Sequence, residues 1–255
     1  MSAASKNTLF IESGNSAWKA ARYGRTNGQN LFGREGGISF CGQGSSFNTL
    51  YEWLEQQPER KVVLATVGAE QAAITLMTKL AASNYHVYRA ETGEITGFEH
   101  CYLEPSLLGV DRWLTMVALR QSERPVAIID AGTAFTFDLM DVGGKHLGGW
   151  IAPGFQLMQE ALVSRSSRLK ANEQAPRGLI GSNTEDAIGL GCKAAVQGFS
   201  EQGVLVAKEK FAGRPFDVFV SGGGARLLNI SRLPNCQLRP LLVLEGLYAW
   251  WQEQL

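Results

Sequence analysis

The sequence predicts an α/β protein built from two similar halves, and three observations carry that expectation. Strand-length apolar runs alternate with helical patterns, as at Val62–Val67 followed by Glu70–Ala81, which is the pattern of α/β architectures. A motif of three apolar residues, an acid, a small residue, Gly and two small or polar residues occurs at Leu9–Ser16 and again, nearly half a chain later, at Ala127–Ala134. The chain of 255 residues holds 29 Gly, about eleven more than the roughly 18 that an average near 7% gives. With 8 Pro and no Gly-X-Y period, that surplus is not collagen-like and belongs to turns.

Leu9-Phe10-Ile11 reads as a buried strand, broken by Ser13-Gly14-Asn15-Ser16 and returning as Ala17–Tyr23, which is a hairpin. Gly24–Gly44 is turn-rich, with a third strand expected around Leu31–Phe40; Phe47–Gln56 has helical spacing. Strand Val62–Val67, helix Glu70–Ala81 and strand His86–Arg89 follow, then a helix that begins near Gly109 and ends before Pro125. The second half restarts with Ala127–Ala134 and its return strand Phe135–Leu139. Gly143-Gly144 makes the next turn, and Lys145–Ile151 supplies another strand. Helices are expected from Pro153-Gly154 to about Leu162 and from Thr184 to about Lys210, and a strand at Phe216–Val220. Ser221-Gly222-Gly223-Gly224 reads as a turn into a helix, and Leu241–Gln252 as a closing amphipathic helix. The expected division is 7–123 and 124–255.

Composition removes several function classes. A 45% apolar, 19% charged chain is not disordered. Its 24 Lys+Arg balance 24 Asp+Glu, so no broad cationic surface is available for nucleic acid, and none is expected as a partner. Cys41, Cys101, Cys192 and Cys236 have no Cys-x-x-Cys pairing or His at zinc spacing, and reduced buried thiols are expected. Met1–Lys6 is small and polar, and no apolar run reaches the ~18 residues of a membrane span. A soluble, cytoplasmic protein without a secretory leader is therefore expected. The G-x-G-x-x-G dinucleotide pattern is absent near the first strand, and no G-x-x-x-x-G-K-[ST] or G-x-S-x-G occurs, which disfavours dinucleotide, P-loop and Ser-His-Asp hydrolase chemistry.

The two hairpins can handle phosphate. Glycine after an acid lets backbone N–H groups approach an anion. Hydroxyls and Lys19 add donors and positive charge, and carboxylates suit Mg²⁺. Ordinary β-turns remain the alternative. Gly109-Val110-Asp111-Arg112-Trp113 puts a carboxylate at a helix start beside an Arg able to bind an anion in bidentate fashion, which suits a general base with a substrate clamp. An N-terminal helix acid with a surface ion pair would look the same. Ser221–Gly224 suits close approach to a nucleotide or simple helix–strand packing. His86, His100 and His146 have no nucleophile pattern and are expected to be structural or solvent-facing.

In this order and spacing the elements resemble type III pantothenate kinases, the family that includes the Bvg accessory factors. The motifs are Glu12–Lys19, Tyr102–Pro105, Leu108–Trp113, Asp130–Asp138, Gly148–Gly154, Asn183-Thr184 and Ser221-Gly222-Gly223, spread from Leu9 to about Ala249. The resemblance implies two ribonuclease-H-like lobes of the acetate and sugar kinase, Hsp70 and actin superfamily, with the nucleotide between them. It implies ATP-dependent phosphorylation of pantothenate to 4'-phosphopantothenate, the first step of coenzyme A synthesis. Glu12, Ser13, Gly14, Asn15, Ser16, Ala17, Trp18 and Lys19 would then form the first phosphate loop, with Thr133, Gly222 and Gly223 also on ATP. Glu12 would serve Mg²⁺, through water if needed, and Asp130 a monovalent cation, K⁺ or NH₄⁺. Tyr102, Gly109, Val110, Asp111 and Arg112 would hold pantothenate, with Asp111 as the base and Thr184 reaching in across a homodimer interface. Glu12 departs from the family's usual Asp. A regulatory ATP-binding protein of the same fold, with weak or no kinase activity, is the alternative.

Overall fold

The computed structural model describes residues 7–14, 17–24, 37–67, 70–164, 176 and 178–255. Its elements in the first half are β1 (Thr8–Ser13), β2 (Trp18–Gly24), β3 (Gly37–Gly44), α1 (Phe47–Glu55), β4 (Lys61–Thr66), α2 (Glu70–Ala82), β5 (His86–Arg89) and α3 (Val110–Leu119). The remainder is β6 (Val126–Ala131), β7 (Ala134–Asp141), β8 (Lys145–Pro153), α4 (Phe155–Val163), α5 (Thr184–Lys210), β9 (Asp217–Ser221), β10 (Cys236–Leu238) and α6 (Leu242–Glu253).

Two five-stranded sheets carry these elements, ordered β3-β2-β1-β4-β5 and β8-β7-β6-β9-β10. In each, a three-strand antiparallel meander is extended by two parallel strands beyond its first strand. The repeat seen at Leu9–Ser16 and Ala127–Ala134 is thus a repeat of topology. Glu12 opposes Lys19 of β2 and Ala65 of β4; Asp130 opposes Thr136 of β7 and Ser221 of β9.

The chain forms two compact units, one running to Arg120 and taking in Leu241–Leu255, the other Gln121–Pro240. A single cut after residue 123, as expected from sequence, misses this return of the chain. In the first unit, β1 is buried almost throughout because both its faces are covered. Leu9 and Ile11 face Leu50 and Leu54 of α1 and Leu76 and Leu80 of α2. Phe10 turns the other way and meets Tyr248 of α6 edge-on at 5.4 Å. Strand alternation therefore puts Glu12 on the side of α6 and its packing partner α3. Those two helices touch so closely that a Cβ on Gly246 would run into the Leu114 backbone.

In the second unit, Ala127, Ile129 and Ala131 of β6 and Phe135, Phe137 and Leu139 of β7 pack with Val196, Val204 and Ala207 of α5. Asp130 lies on the opposite face by the same alternation.

Three expectations need correction. The third strand, expected around Leu31–Phe40, includes Gly37–Phe40 and runs on to Gly44; residues 25–36 lie outside the described set. Beyond Ser221 the chain forms 3-10 turns at Gly223–Leu227 and Ile230–Arg232 and then β10. A run of Gly, each costing about 1 kcal/mol in an α-helix, does not sustain the helix expected there. Of the four cysteines, all free, only Cys192 is buried, and Cys101 is exposed.

Candidate active site

Glu12 ends the polar side of β1, and its turn is closed by the Gly14 N–H donating to the Ala17 carbonyl at 2.9 Å. Burial pushes the Glu12 carboxyl above its ordinary value; Lys19, its cross-strand partner, pulls it back down, and Asp111 pushes it up again. The Lys19 ammonium of β2 and the Asp111 carboxylate of α3 are therefore each within electrostatic reach of Glu12 on β1. Ser13 and Trp18 are buried, Trp18 donating its indole N–H to Thr49 Oγ1 at 3.1 Å. Ala17 is exposed; Asn15 and Ser16 lie outside the described residues.

The direction of the Glu12 shift has a consequence for stability. A carboxyl that holds its proton more tightly when folded contributes stability below its unfolded pKa, here the ordinary 4.5. That contribution is lost as pH rises through the raised folded value. Glu12→Gln removes the burden of an ionised, desolvated carboxyl, so its advantage in Tm over the native chain should widen from pH 5 to pH 8. Thermal melts at the two pH values test this, and an advantage that narrows would exclude burial as the dominant cause.

Asp111 occupies the first turn of α3, where a negative charge suits the helix dipole. Its Oδ1 accepts from the Arg112 N–H at 2.7 Å. The carboxylate folds back so closely that a Cβ on Gly109 would approach Oδ1 to 2.8 Å, which accounts for glycine at the helix N-cap. Val110, the first helical residue, is half-buried. Arg112 is buried; it donates from Nη1 to the Tyr102 hydroxyl at 3.0 Å and lies 5.9 Å from the centre of that ring. Tyr102, Gly109, Asp111 and Arg112 are thus one connected group.

A second group forms around Asp130 in the other unit. The β6–β7 turn has Gly132 N–H donating to the Ala134 carbonyl at 3.1 Å, and Gly154 N–H donating to the Thr133 carbonyl at 2.8 Å. Gly154 sits so tightly that a Cβ would come within 2.5 Å of the Thr133 oxygen. Gly222, at φ 84° and ψ 155°, lies over Asp130 and Ala131; a Cβ there would be 2.5 Å from Asp130 Oδ1. Gly223 has open space beside it, and Thr133 is exposed. Thr184, also exposed, opens α5, which Asn183 caps by accepting from the Asp186 N–H at 2.9 Å.

Sequence reasoning missed the pair Asp138–His146, joined at 3.1 Å with both side chains almost fully buried. Its one sequence signal was an acid inside the apolar run of β7. Among the described residues, no group of three or more His, Cys, Asp or Glu gathers as a metal cage. Mg²⁺ needs no such cage, since one or two carboxylates plus phosphate oxygens usually bind it. The Glu12 and Asp111 carboxylates, which interact electrostatically, have the chemistry for it, and the Asp130 oxygen beside Gly222 suits a hard cation. No helix among the described residues is long and apolar enough to cross a membrane.

Comparison with known proteins bears on this arrangement. Residues 8–204 match the family model for type III pantothenate kinase. A type III pantothenate kinase of Pseudoalteromonas atlantica is 32% identical over 250 residues, covering 96% of this chain and 97% of the relative. One from Idiomarina loihiensis is 36% identical over 192 residues, covering 72% and 73%. Among solved structures, a conserved putative Baf family transcriptional activator from Campylobacter jejuni aligns with TM-score 0.55 at 20% identity, covering 96% of this chain and 98% of that one. A putative 2-dehydro-3-deoxygalactonokinase from Sinorhizobium meliloti aligns with TM-score 0.55 at 9% identity, covering 96% of both chains. At these identities the two structures establish a shared α/β fold and nothing further.

Proposed function

Because the chain belongs to the type III pantothenate kinase family, we propose that it transfers the γ-phosphoryl group of ATP to the primary hydroxyl of pantothenate, with Asp111 as general base. The products are 4'-phosphopantothenate and ADP, and the hydroxyl proton passes to the Asp111 carboxylate. The observation that carries this reading is the convergence of Glu12, Lys19 and Asp111, which brings a phosphate-facing hairpin and a candidate base into one electrostatic neighbourhood.

In phosphoryl transfer the protein works mainly by positioning and by spreading negative charge. With the Gly14 and Gly132 N–H groups closing the two turns, other backbone N–H groups of those turns, with Lys19 and Thr133, would donate to phosphate oxygens. Gly222 and Gly223 would let the chain approach the nucleotide. Arg112, held by Tyr102, would orient pantothenate so that its hydroxyl meets the base, and Gly109 and Val110 would line the same site. Mg²⁺, when bound with ATP, supplies charge neutralisation at the phosphates; Glu12 would hold it directly or through water. Asp130 would hold K⁺ or NH₄⁺. A cytoplasmic site of action follows from the same reading.

The working form would be a homodimer in which Thr184 reaches the partner's pantothenate site. Exposed Leu157 and Leu162 on α4, and Leu179 and Ile180 ahead of α5, favour an apolar contact between copies. Light scattering should then give twice the 27.8 kDa chain mass, and a value of one chain mass removes the shared site.

The test of the function is ADP release from ATP and Mg²⁺, with and without pantothenate and with K⁺, NH₄⁺ or neither. Pantothenate-dependent ADP is expected, with a requirement for one of the monovalent ions. No pantothenate-dependent ADP under any salt would overturn the reading and leave the regulatory alternative.

A further inference from the structure

The segment Glu91–Leu108, between β5 and α3, carries Tyr102 yet holds no helix or strand beyond a single bridge residue at Glu99 and a 3-10 turn at Pro105–Leu107. A connection of that length keeps one conformation only if its own side chains and its neighbours tie it down. Thr92 Oγ1 donates to the Leu108 carbonyl at 2.8 Å and closes the two ends. The His100 ring nitrogen Nε2 lies 3.0 Å from the Gly93 carbonyl. Arg112 grips the segment at the Tyr102 hydroxyl. A second arginine, at the far end of the same helix, grips it at its middle: Arg120 Nε donates to the Thr96 carbonyl at 3.0 Å.

Arg120 is 8% exposed, and the rest of its guanidinium is committed as well. Nη1 donates to the Val117 carbonyl at 2.7 Å, satisfying the last turn of α3. Nη2 donates to Glu253 of α6. We propose that Arg120, fixed by Glu253, is a positioning residue for substrate: it holds the Glu91–Leu108 loop so that Tyr102 and Arg112 meet pantothenate in register. Arg112 and Arg120 stand about 12 Å apart along α3 at 1.5 Å per residue, so the loop is held at two separated points against one rigid rod. A guanidinium can serve a loop carbonyl, a helix carbonyl and a carboxylate together because its donors are forked. Lysine, a single ammonium, cannot reproduce that geometry.

The inference rests on the pantothenate reading, and its test separates the two. In Arg120→Gln the pantothenate KM should rise at least about tenfold while the ATP KM stays within about twofold and kcat falls less than about threefold, the signature of lost substrate positioning. Glu253→Gln keeps an acceptor for Nη2 and should raise the pantothenate KM by no more than about threefold; Glu253→Ala should approach the Arg120→Gln effect. Hydrogen exchange at Ile95–Tyr102 should quicken in Arg120→Gln and Glu253→Ala. A lowered Tm with both KM values unchanged would mean a purely structural role and overturn the proposal. If the native chain shows no pantothenate-dependent turnover, the functional reading fails, and the exchange measurement decides the clamp: protection equal to the native chain's overturns it. Should Arg120→Gln not fold, the Glu253 pair carries both readouts.

Discussion

Asp111→Asn should lower kcat by at least about a hundredfold, because general-base catalysis contributes about 10² to 10⁴ in rate. The substitution is informative because it removes basicity and keeps shape. The Asn carbonyl oxygen can still accept from the Arg112 N–H, as Asp111 Oδ1 does at 2.7 Å, so the start of α3 should persist. Loss of one charge at a helix N-terminus costs about 0.3–1 kcal/mol, too little to unfold the chain. The ATP KM should stay within about twofold, as expected when an interaction made only in the transition state is lost. Glu12 should also respond: Asp111 is one of the groups that push its carboxyl upward, so the Glu12 pKa should fall in the variant. An unchanged kcat would remove Asp111 from the base role, whatever happens at Glu12.

How much of this was legible follows from the range over which each feature is encoded. The continuous apolar run Leu9–Ile11 ended by Glu12 marked a strand buried on both faces, and repetition of the same pattern at Ala127–Asp130 announced the second sheet; which side Glu12 takes depends on Phe10 packing against Tyr248. The helix start at Gly109–Asp111 was legible because an acid at a helix N-terminus is a local signal. Position within the sheets was less so. The strand Gly37–Gly44 lies in a glycine-rich stretch where turn signals mask the strand period. The return of α6 to the first unit depends on Gly246 meeting Leu114, a contact between helices far apart in sequence. Arg120 joins residues 24 and 133 positions away, and nothing in its own neighbourhood, Leu119-Arg120-Gln121, marks it. Charged partners over such distances are chosen by packing, which periodicity does not report. The Asp138–His146 pair escaped for the opposite reason: the two are close in sequence, but their burial follows from the sheet.

The glycines after β9 give a second large expected effect, and here adjacent residues should behave in opposite ways. Gly222→Ala should abolish activity, by at least about a hundredfold if the chain folds, since misplacement of a catalytic group by about 1 Å can cost on the order of 10². At φ 84° and ψ 155° the backbone is in a region open essentially to glycine alone, where other residues cost about 1–3 kcal/mol. The added Cβ would also overlap the Ala131 backbone and come 2.5 Å from Asp130 Oδ1. Backbone cannot yield as a flexible side chain can, so Asp130 or the β6–β7 turn must shift, and overpacking of this kind costs about 1–3 kcal/mol more. Gly223 has no positive φ, and a Cβ added there would meet nothing within 4 Å. Gly223→Ala should therefore keep the native Tm, within the few tenths of a kcal/mol typical of unobstructed sites, and any rise in its ATP KM would report how closely nucleotide approaches that turn. Melting curves and ATP titrations on the two variants decide the matter. Equal Tm values would show that the turn over Asp130 relaxes freely, and would withdraw Gly222 as the residue that shapes the Asp130 cradle.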